Sequence, residues 1–382
     1  MEAILEKPAE KAGDAKSAIT LNHLQRALRI VGSAIQARTT IPILQCVRIE
    51  QLTDGLAVEA TTLDIFIRAL VPESNGPAAP LLVPADKFAG WVKLLSGEDV
   101  KISTSAHRAT VHCNKSRVTL PIRAASSWPD NSIYSLKGDG ITLKQSDLAR
   151  ALKFAMIAVS TDSSRITLNG VLIEGDGTTL NIVSTDGHRL MKYTRPCEEK
   201  INLLLPSVLI KSLLPLLAGD EDGVDVTYSD KQVLLSVTGE TPVFIGAPRL
   251  VGAFPSYTAV LPKKGRPEVI VKLQELLSSL ERCALLSNDS GTAVVFEFGD
   301  GQIKLTSASA QNGEAEEMVS CEGSPKEPLR IGINAGYLID LAKKLDGDLR
   351  IALPPSNNEP LLFKAEPADG ESIEYIIMPL RV

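Results

Sequence analysis

The chain has 382 residues, of which 44% are hydrophobic. That supports a packed core in each of two or three domains and argues against a fibrous or wholly disordered chain. No apolar run approaches the roughly 20 residues that a membrane helix requires. The net charge of −6 argues against a protein that coats nucleic acid with a uniformly basic surface; DNA binding then needs basic residues gathered on one surface and acids elsewhere.

Residues 1–16 carry Glu, Lys, Ala and Gly without an apolar signal stretch, and a disordered leader is expected there. Apolar spacing of three and four predicts a helix over Leu21–Leu28. Alternating, β-branched stretches predict strands at Val47–Glu50 and Leu56–Ala60, with a turn at Thr53-Asp-Gly55 between them. An apolar strand end, an entry residue and an amphipathic run predict a second helix within Val83–Leu95. Val111–Cys113 follows as strand.

The pattern then starts again. A helix is predicted over Leu143–Leu152, a turn at Gly175-Asp-Gly177, a strand at Leu180–Ser184, a second helix within Leu205–Leu217 and a strand at Val233–Val237. It starts a third time, with a helix over Val271–Leu280, strands at Val294–Phe298 and Ile303–Thr306 around Gly299-Asp-Gly301, and a helix within Ile333–Leu345. Both helical landmarks recur about every 125 residues. The expected fold is α+β, one unit of two helices and antiparallel strands used three times, with boundaries near Gly138 and Pro262. Two such chains can close a six-unit ring by two-fold symmetry, and three independent beads are the alternative.

Catalytic motifs are scarce. Ser184-Thr-Asp-Gly-His-Arg189 offers Ser, Asp and His, but hydrolytic triads assemble these groups from distant segments. No G-x-S-x-G elbow, phosphate loop or dinucleotide fingerprint occurs. Asp-Gly at this place reads equally as a strand-ending turn. His107 and His112 fall on an expected exposed strand pair and His23 on an amphipathic helix. The five cysteines, Cys46, Cys113, Cys197, Cys283 and Cys321, are scattered, without the paired spacing of a zinc site or a disulfide frame. No metal or cofactor is expected, and no enzymatic activity.

Five segments remain: Arg38-Thr-Thr-Ile-Pro-Ile-Leu44, Arg165-Ile-Thr-Leu-Asn-Gly170, Thr185-Asp-Gly-His-Arg-Leu190, Ala253-Phe-Pro-Ser-Tyr-Thr-Ala-Val-Leu-Pro262 and Tyr375-Ile-Ile-Met-Pro-Leu-Arg-Val382. In this order, on a threefold repeat, they resemble the bacterial DNA polymerase III β subunit family, the sliding clamps. The likeness covers residues 17 to 382, as three clamp domains at 17–138, 139–262 and 263–382. The resemblance implies a homodimeric, cytoplasmic ring around double-stranded DNA, held without reading sequence. Its implied partners are the DNA polymerase III alpha subunit, the clamp loader and other proteins carrying a clamp-binding motif.

The resemblance also implies residue roles. DNA-facing positions are Arg38, Lys93, Arg150, Lys153, Lys211 and Lys343, while Asp86, Ser207 and Val208 stand where the family often has basic residues. A partner-peptide pocket would comprise Arg165, Thr185, His188, Arg189, Leu190, Pro255 and Val260. It would be completed by Pro360 and the tail residues Ile376, Met378, Pro379, Leu380 and Arg381. Thr167 stands where some members carry an aromatic. The dimer interface would use Lys115 and Arg117 against Glu314, Glu316 and Glu317, with Leu285 and Leu286 apolar. A clamp paralogue with an altered partner set is the alternative.

Overall fold

The computed structural model describes residues 18–53, 55–217, 223–262, 265–287, 292–299, 301–325 and 327–381. The expected leader lies outside them, as do Asp54 and Asp300 of the expected turns.

Three stretches of chain run through one order of elements: strand, helix, four strands, helix, three strands. The first holds β1 (Ile19–Thr20), α1 (Leu21–Val31), β2 (Cys46–Leu52), β3 (Gly55–Thr61), β4 (Phe66–Pro72), β5 (Leu81–Pro84), α2 (Ala85–Lys93), β6 (Asp99–Thr104), β7 (Arg108–Cys113) and β8 (Ser116–Pro121). The second holds β9 (Asp139–Lys144), α3 (Gln145–Ala155), β10 (Gly170–Asp176), β11 (Thr179–Thr185), β12 (Arg189–Pro196), β13 (Lys200–Pro206), α4 (Ser207–Leu213), β14 (Gly223–Tyr228), β15 (Gln232–Val237) and β16 (Val243–Pro248). The third holds β17 (Glu268–Lys272), α5 (Leu273–Leu285), β18 (Ala293–Phe298), β19 (Gln302–Ser309), β20 (Gly313–Glu322), β21 (Leu329–Asn334), α6 (Ala335–Ala342), β22 (Asp348–Ala352), β23 (Leu361–Ala365) and β24 (Ser372–Ile377).

Every strand expected from the alternating pattern falls inside one of these strands. Helix α1 begins at Leu21 as expected, while α3 and α5 begin two residues later than their apolar spacing implies. Leu143 and Lys144 belong to β9, and Val271 belongs to β17, because a strand end and the helix after it share one apolar face. Within α1, Leu21, Leu24, Leu28 and Val31 are buried, the three-and-four spacing of a helix laid on a sheet. Asn334 caps α6 by accepting the Gly336 N–H at 2.9 Å. After α4 the chain tightens into a 3-10 turn at Leu214–Leu216, since Pro215 has no N–H to continue the helix. Among the described residues no helix is long and apolar enough to cross a membrane.

The chain forms two compact units, and they do not follow the repeat. One holds residues to 149 and 208–249; the other holds 150–207 and 250–382. Strand pairing explains the division. In the first unit the sheets run β1-β6-β7-β8 and β5-β2-β3-β4-β16-β15-β14-β9, so β4 of the first repeat takes β16 of the second as its neighbour. The second unit holds one sheet, β13-β10-β11-β12-β24-β23-β22-β17-β20-β19-β18-β21, and there β12 of the second repeat takes β24 of the third.

A buried ion network crosses β2, β3 and β4 of the first unit. Glu59 accepts from Arg48 at 2.8 Å and from Arg68 at 2.6 Å, and Arg48 also meets Glu50 at 2.7 Å. The Arg68 guanidinium lies 3.9 Å above the Tyr134 ring. Burial, with Glu59 nearby, pushes the Tyr134 phenol well above its ordinary range.

Candidate partner-binding site

The turn between β11 and β12 carries the Thr-Asp-Gly-His-Arg segment. Gly187 sits at φ +90°, where a side chain is strained. Thr185 Oγ1 accepts the Gly187 N–H at 3.1 Å and donates to the Arg189 carbonyl at 2.6 Å. Asp186 Oδ1 accepts the backbone N–H groups of His188 and Arg189 at 2.9 and 3.0 Å. Asp186 therefore builds the turn. Ser184 is buried and donates to the Ala155 carbonyl. Among the described residues no hydrogen bond joins the His188 imidazole to Ser184 or Asp186, so these groups do not form a triad.

Arg189, expected in the partner-peptide pocket, is also tied into the fold. Its Nε meets Asp186 at 3.0 Å, and its Nη1 meets Asp340 of α6 at 2.9 Å and Tyr375 of β24 at 3.4 Å. Its plane stacks 4.1 Å above Tyr337. Burial opposes the charge, but Tyr375, Asp340 and Asp186 more than offset it and hold the guanidinium above its ordinary range. Arg189 fixes β12 to α6 and β24. Arg165, His188 and Arg381 are exposed. Arg165 Nη1 reaches the Asp186 carbonyl at 3.3 Å, which brings it to the same turn.

Leu190 and Ile376 lie side by side as a strand pair and are 4% and 1% exposed. They join Leu172, Leu204, Tyr257 and Leu362 in one apolar cluster, so they form the floor of the site rather than open lining. Above the floor are Val260 at 48% and Met378 at 40% exposure. Pro255 is exposed; Thr185, Pro360 and Pro379 are half-buried. The tail is tied down: Met378 N–H donates to the His188 carbonyl at 2.9 Å, and Leu380 N–H to the Gly332 carbonyl at 2.7 Å. A groove of about 800 Å³ opens here, with Val260, Pro360 and Met378 in its wall. Leu353, Pro354 and Arg266 also line it and were not expected; they come from strand ends without a local motif. Ile166 and Val251 are exposed nearby, on segments that touch through Thr167 and Gly252.

Three family descriptions match in chain order: DNA polymerase III beta subunit N-terminal domain over residues 16–132, central domain over 142–255 and C-terminal domain over 258–381. The chain is 31% identical to the beta sliding clamp of Pseudomonas putida, with 94% of this chain and 98% of the relative covered. The chain belongs to the DNA polymerase III beta subunit family. The beta sliding clamp of Vibrio cholerae is 28% identical, covering 96% of this chain and all 100% of the relative. The crystal structure of the DNA polymerase III subunit beta from Pseudomonas aeruginosa superposes with a TM-score of 0.86 at 26% identity, covering 96% of this chain and 99% of that one. The C. crescentus beta sliding clamp gives 0.86 at 27% identity over 96% and 99%. The three-domain clamp fold and the sliding-clamp function follow from these matches together.

For a beta subunit, the basic helix residues matter next. Lys93, Lys153 and Lys211 are exposed in the last turns of α2, α3 and α4, where a cation also suits the helix dipole. Arg38 is exposed after α1. Lys343 is exposed and pairs with Glu281 of α5 at 2.9 Å, a surface pair of small worth. Arg150, also expected to face DNA, is engaged within the chain. Its guanidinium is held two-pronged by the buried Glu371 at 2.8 and 2.6 Å and reaches the Tyr193 hydroxyl at 3.4 Å. It ties α3 to the approach of β24, and freeing it for phosphate would strand a buried carboxylate. Arg29 is likewise exposed in the last turn of α1.

The expected interface residues fall on two strand edges. Lys115 is exposed in the turn before β8 and Arg117 is exposed on β8, which has no strand neighbour beyond β7 among the described residues apart from an isolated bridge at Arg123. On β20, strand β17 covers only Cys321 and Glu322. Glu314, Glu316 and Glu317 therefore lie on an open stretch of edge. Glu316 meets Lys304 at 2.8 Å, and Glu317 meets Arg282 at 2.6 Å, which holds its carboxyl below the ordinary range. Leu285 is 79% exposed and Leu286 half-buried; Met318, 51% exposed on β20, was not expected.

Proposed function

We propose that two copies of this chain close around duplex DNA as a sliding clamp that tethers the replicative polymerase and does no chemistry itself. The observation carrying this reading is the rule by which the repeats join. Strand β4 takes β16 of the next repeat, and β12 takes β24 of the next. Strand β20 is the equivalent of β4 and β12 in the third repeat, and β8 is the equivalent of β16 and β24 in the first. Each is left with an open edge. The same rule applied between chains pairs β20 of one copy with β8 of another, and doing so twice closes six repeats.

Charge supports this pairing. Lys115 and Arg117 would face Glu314, Glu316 and Glu317, fixing register, while Leu285 and Leu286 lose water. The repeating units are 17–138, 139–262 and 263–382, preceded by the leader. Arg38, Lys93, Lys153, Lys211 and Lys343 would meet phosphates without reading bases, so the ring can move along DNA. The Leu190–Met378 site would take a short apolar-anchored peptide from the DNA polymerase III alpha subunit, the clamp loader or another clamp user. On this reading the protein works in the cytoplasm.

Primer extension on circular DNA, with polymerase and loader, tests the proposal. Products should lengthen several-fold when the protein is added; unchanged lengths would contradict it. Asp86 and Thr167 favour one second reading, a paralogue with altered partners. In that case lengthening would appear with a different polymerase from the main replicative one.

A further inference from the structure

The first helices of the three repeats share one frame. Leucines stand at Leu24 and Leu28 of α1, Leu148 and Leu152 of α3, and Leu276 and Leu280 of α5. Midway between them lie Arg26, Arg150 and Ser278. Both arginines reach into the next repeat and end on a carboxylate in the turn that leads to the joining strand. Arg26 pairs with Glu240, in the turn between β15 and β16. Arg150 pairs with Glu371, in the turn between β23 and β24, at 2.8 and 2.6 Å. Each pair closes the corner beside a join, β4 with β16 or β12 with β24. The two differ in depth, since Glu240 is 77% exposed and Glu371 only 5%. Solvent screens the first pair, whereas breaking the second strands a buried charge.

The third corner is built without the pair. Ser278 is short and uncharged, and its hydroxyl donates to the Gln274 carbonyl of its own helix at 2.8 Å. The equivalent turn, between β7 and β8, is cut to Asn114 and Lys115, where the other two run over residues 238–242 and 366–371. Asn114 donates to the Ser96 carbonyl of its own repeat at 3.1 Å. The helix position therefore lacks the arginine, and the turn lacks the acid.

We propose that this arginine–carboxylate corner, and not the strand edge alone, sets how firmly neighbouring repeats hold each other, and that its omission at Ser278 and the β7–β8 turn weakens the join between chains relative to the two within the chain. The role at β4–β16 and β12–β24 stands on the single chain. The role at the third join rests on the pairing of β20 with β8 between copies. Strand pairing is common to all three joins, so the corner is what distinguishes them.

Amide hydrogen exchange on the full-length Glu371→Gln protein tests the role within the chain. Amides bonded across β12 and β24 should exchange about tenfold faster than in the unsubstituted protein, with those between β10 and β11 unchanged. Glu240→Gln should change exchange across β4 and β16 by less than about threefold. Unchanged exchange across β12 and β24, or an equal rise between β10 and β11, overturns the proposal. Subunit exchange between two labelled pools tests the third join. Residues 238–242 are grafted in place of Asn114 and Lys115, with and without Ser278→Arg, and with the grafted glutamate either kept or replaced by glutamine. Within this cycle, which cancels the loss of Lys115, only the graft carrying both charges should slow exchange, by about tenfold. Equal rates in all four overturn the corner's role at that join. If the unsubstituted protein sediments as a monomer, the ring reading falls instead, and the result at β12 and β24 still decides the corner's role within the chain.

Discussion

The joins of β4 with β16 and of β12 with β24 are built alike and finished differently. Their registers coincide: Phe66 opposes Gly246 as Leu190 opposes Ile376, and Ala69 opposes Val243 as Tyr193 opposes Ile373. Their leading turns coincide too. Thr61 Oγ1 accepts from Leu63 N–H at 2.9 Å and donates to the Ile65 carbonyl at 2.8 Å, repeating the bonds of Thr185. At the left-handed position one turn has Leu63, at φ 76°, and the other Gly187, at 90°.

The difference lies beside the strands. At the first join Ile133 and Tyr134 pack with Leu234 and Phe244, and Tyr134 lies under the Arg68 guanidinium. The space is filled and the charges are internal. At the second join Leu190 and Ile376 pack with Tyr257 and Leu362, and Met378, just after β24, lines an open groove. Repetition preserved the strand pairing in both places; a groove opens beside the second, and that is where binding is expected.

The largest expected effect that sharpens this contrast is at the sealed join. Replacing Glu59 by Gln leaves Arg48 and Arg68 buried without their shared carboxylate. Urea unfolding should show a loss of about 3–5 kcal/mol. A loss below about 1 kcal/mol, the worth of a surface pair, would mean that the network does not seal this join.

A smaller effect is expected at the open join. Met378→Ala should weaken an anchored peptide about tenfold, roughly 1.4 kcal/mol, with little change in unfolding. If unfolding stability falls instead and peptide affinity holds, Met378 is core and the site is elsewhere.

The smallest effect appears in alkaline titration and separates neither join in sign. Burial raises the phenols of Tyr134 at the first join and Tyr375 at the second. A phenol raised in the folded state favours the protonated form, so its contribution is complete below the ordinary value of about 10 and is lost as pH rises toward the folded value. Phenolate absorbance should therefore show both groups titrating late, together with unfolding. Early titration of Tyr375 alone would mean that the open join admits water to β24.

The sequence made the repeat legible because helices announce themselves locally. Leu21, Leu24 and Leu28 carry their spacing within a single segment, and the same spacing returns in α3 and α5. The turn at Thr185 was legible for the same reason, as the side chains of Thr185 and Asp186 bond residues within the turn. What the sequence did not show is long-range. Arg150 finds Glu371 across 221 positions and Arg189 finds Asp340 across 151, and neither carboxylate carries a local sign of its partner. Both arginines read as helix-face or rim residues until distant segments supply the acids, Glu371 just before β24 and Asp340 on α6. The groove was half visible, through Val260 and Met378, while Leu353 and its prolines lie at strand ends that only the sheet order brings together.

The central claim is that strand edges β20 and β8 close a ring on DNA. It is tested most directly by loading labelled protein onto a nicked circle with a clamp loader, removing free protein, and cutting the circle once. The account predicts retention on the circle and release after the cut, with loss of retention in Glu316→Lys plus Glu317→Lys. Retention that is unaffected by the cut would mean that the protein holds DNA by contact alone, and would contradict the ring.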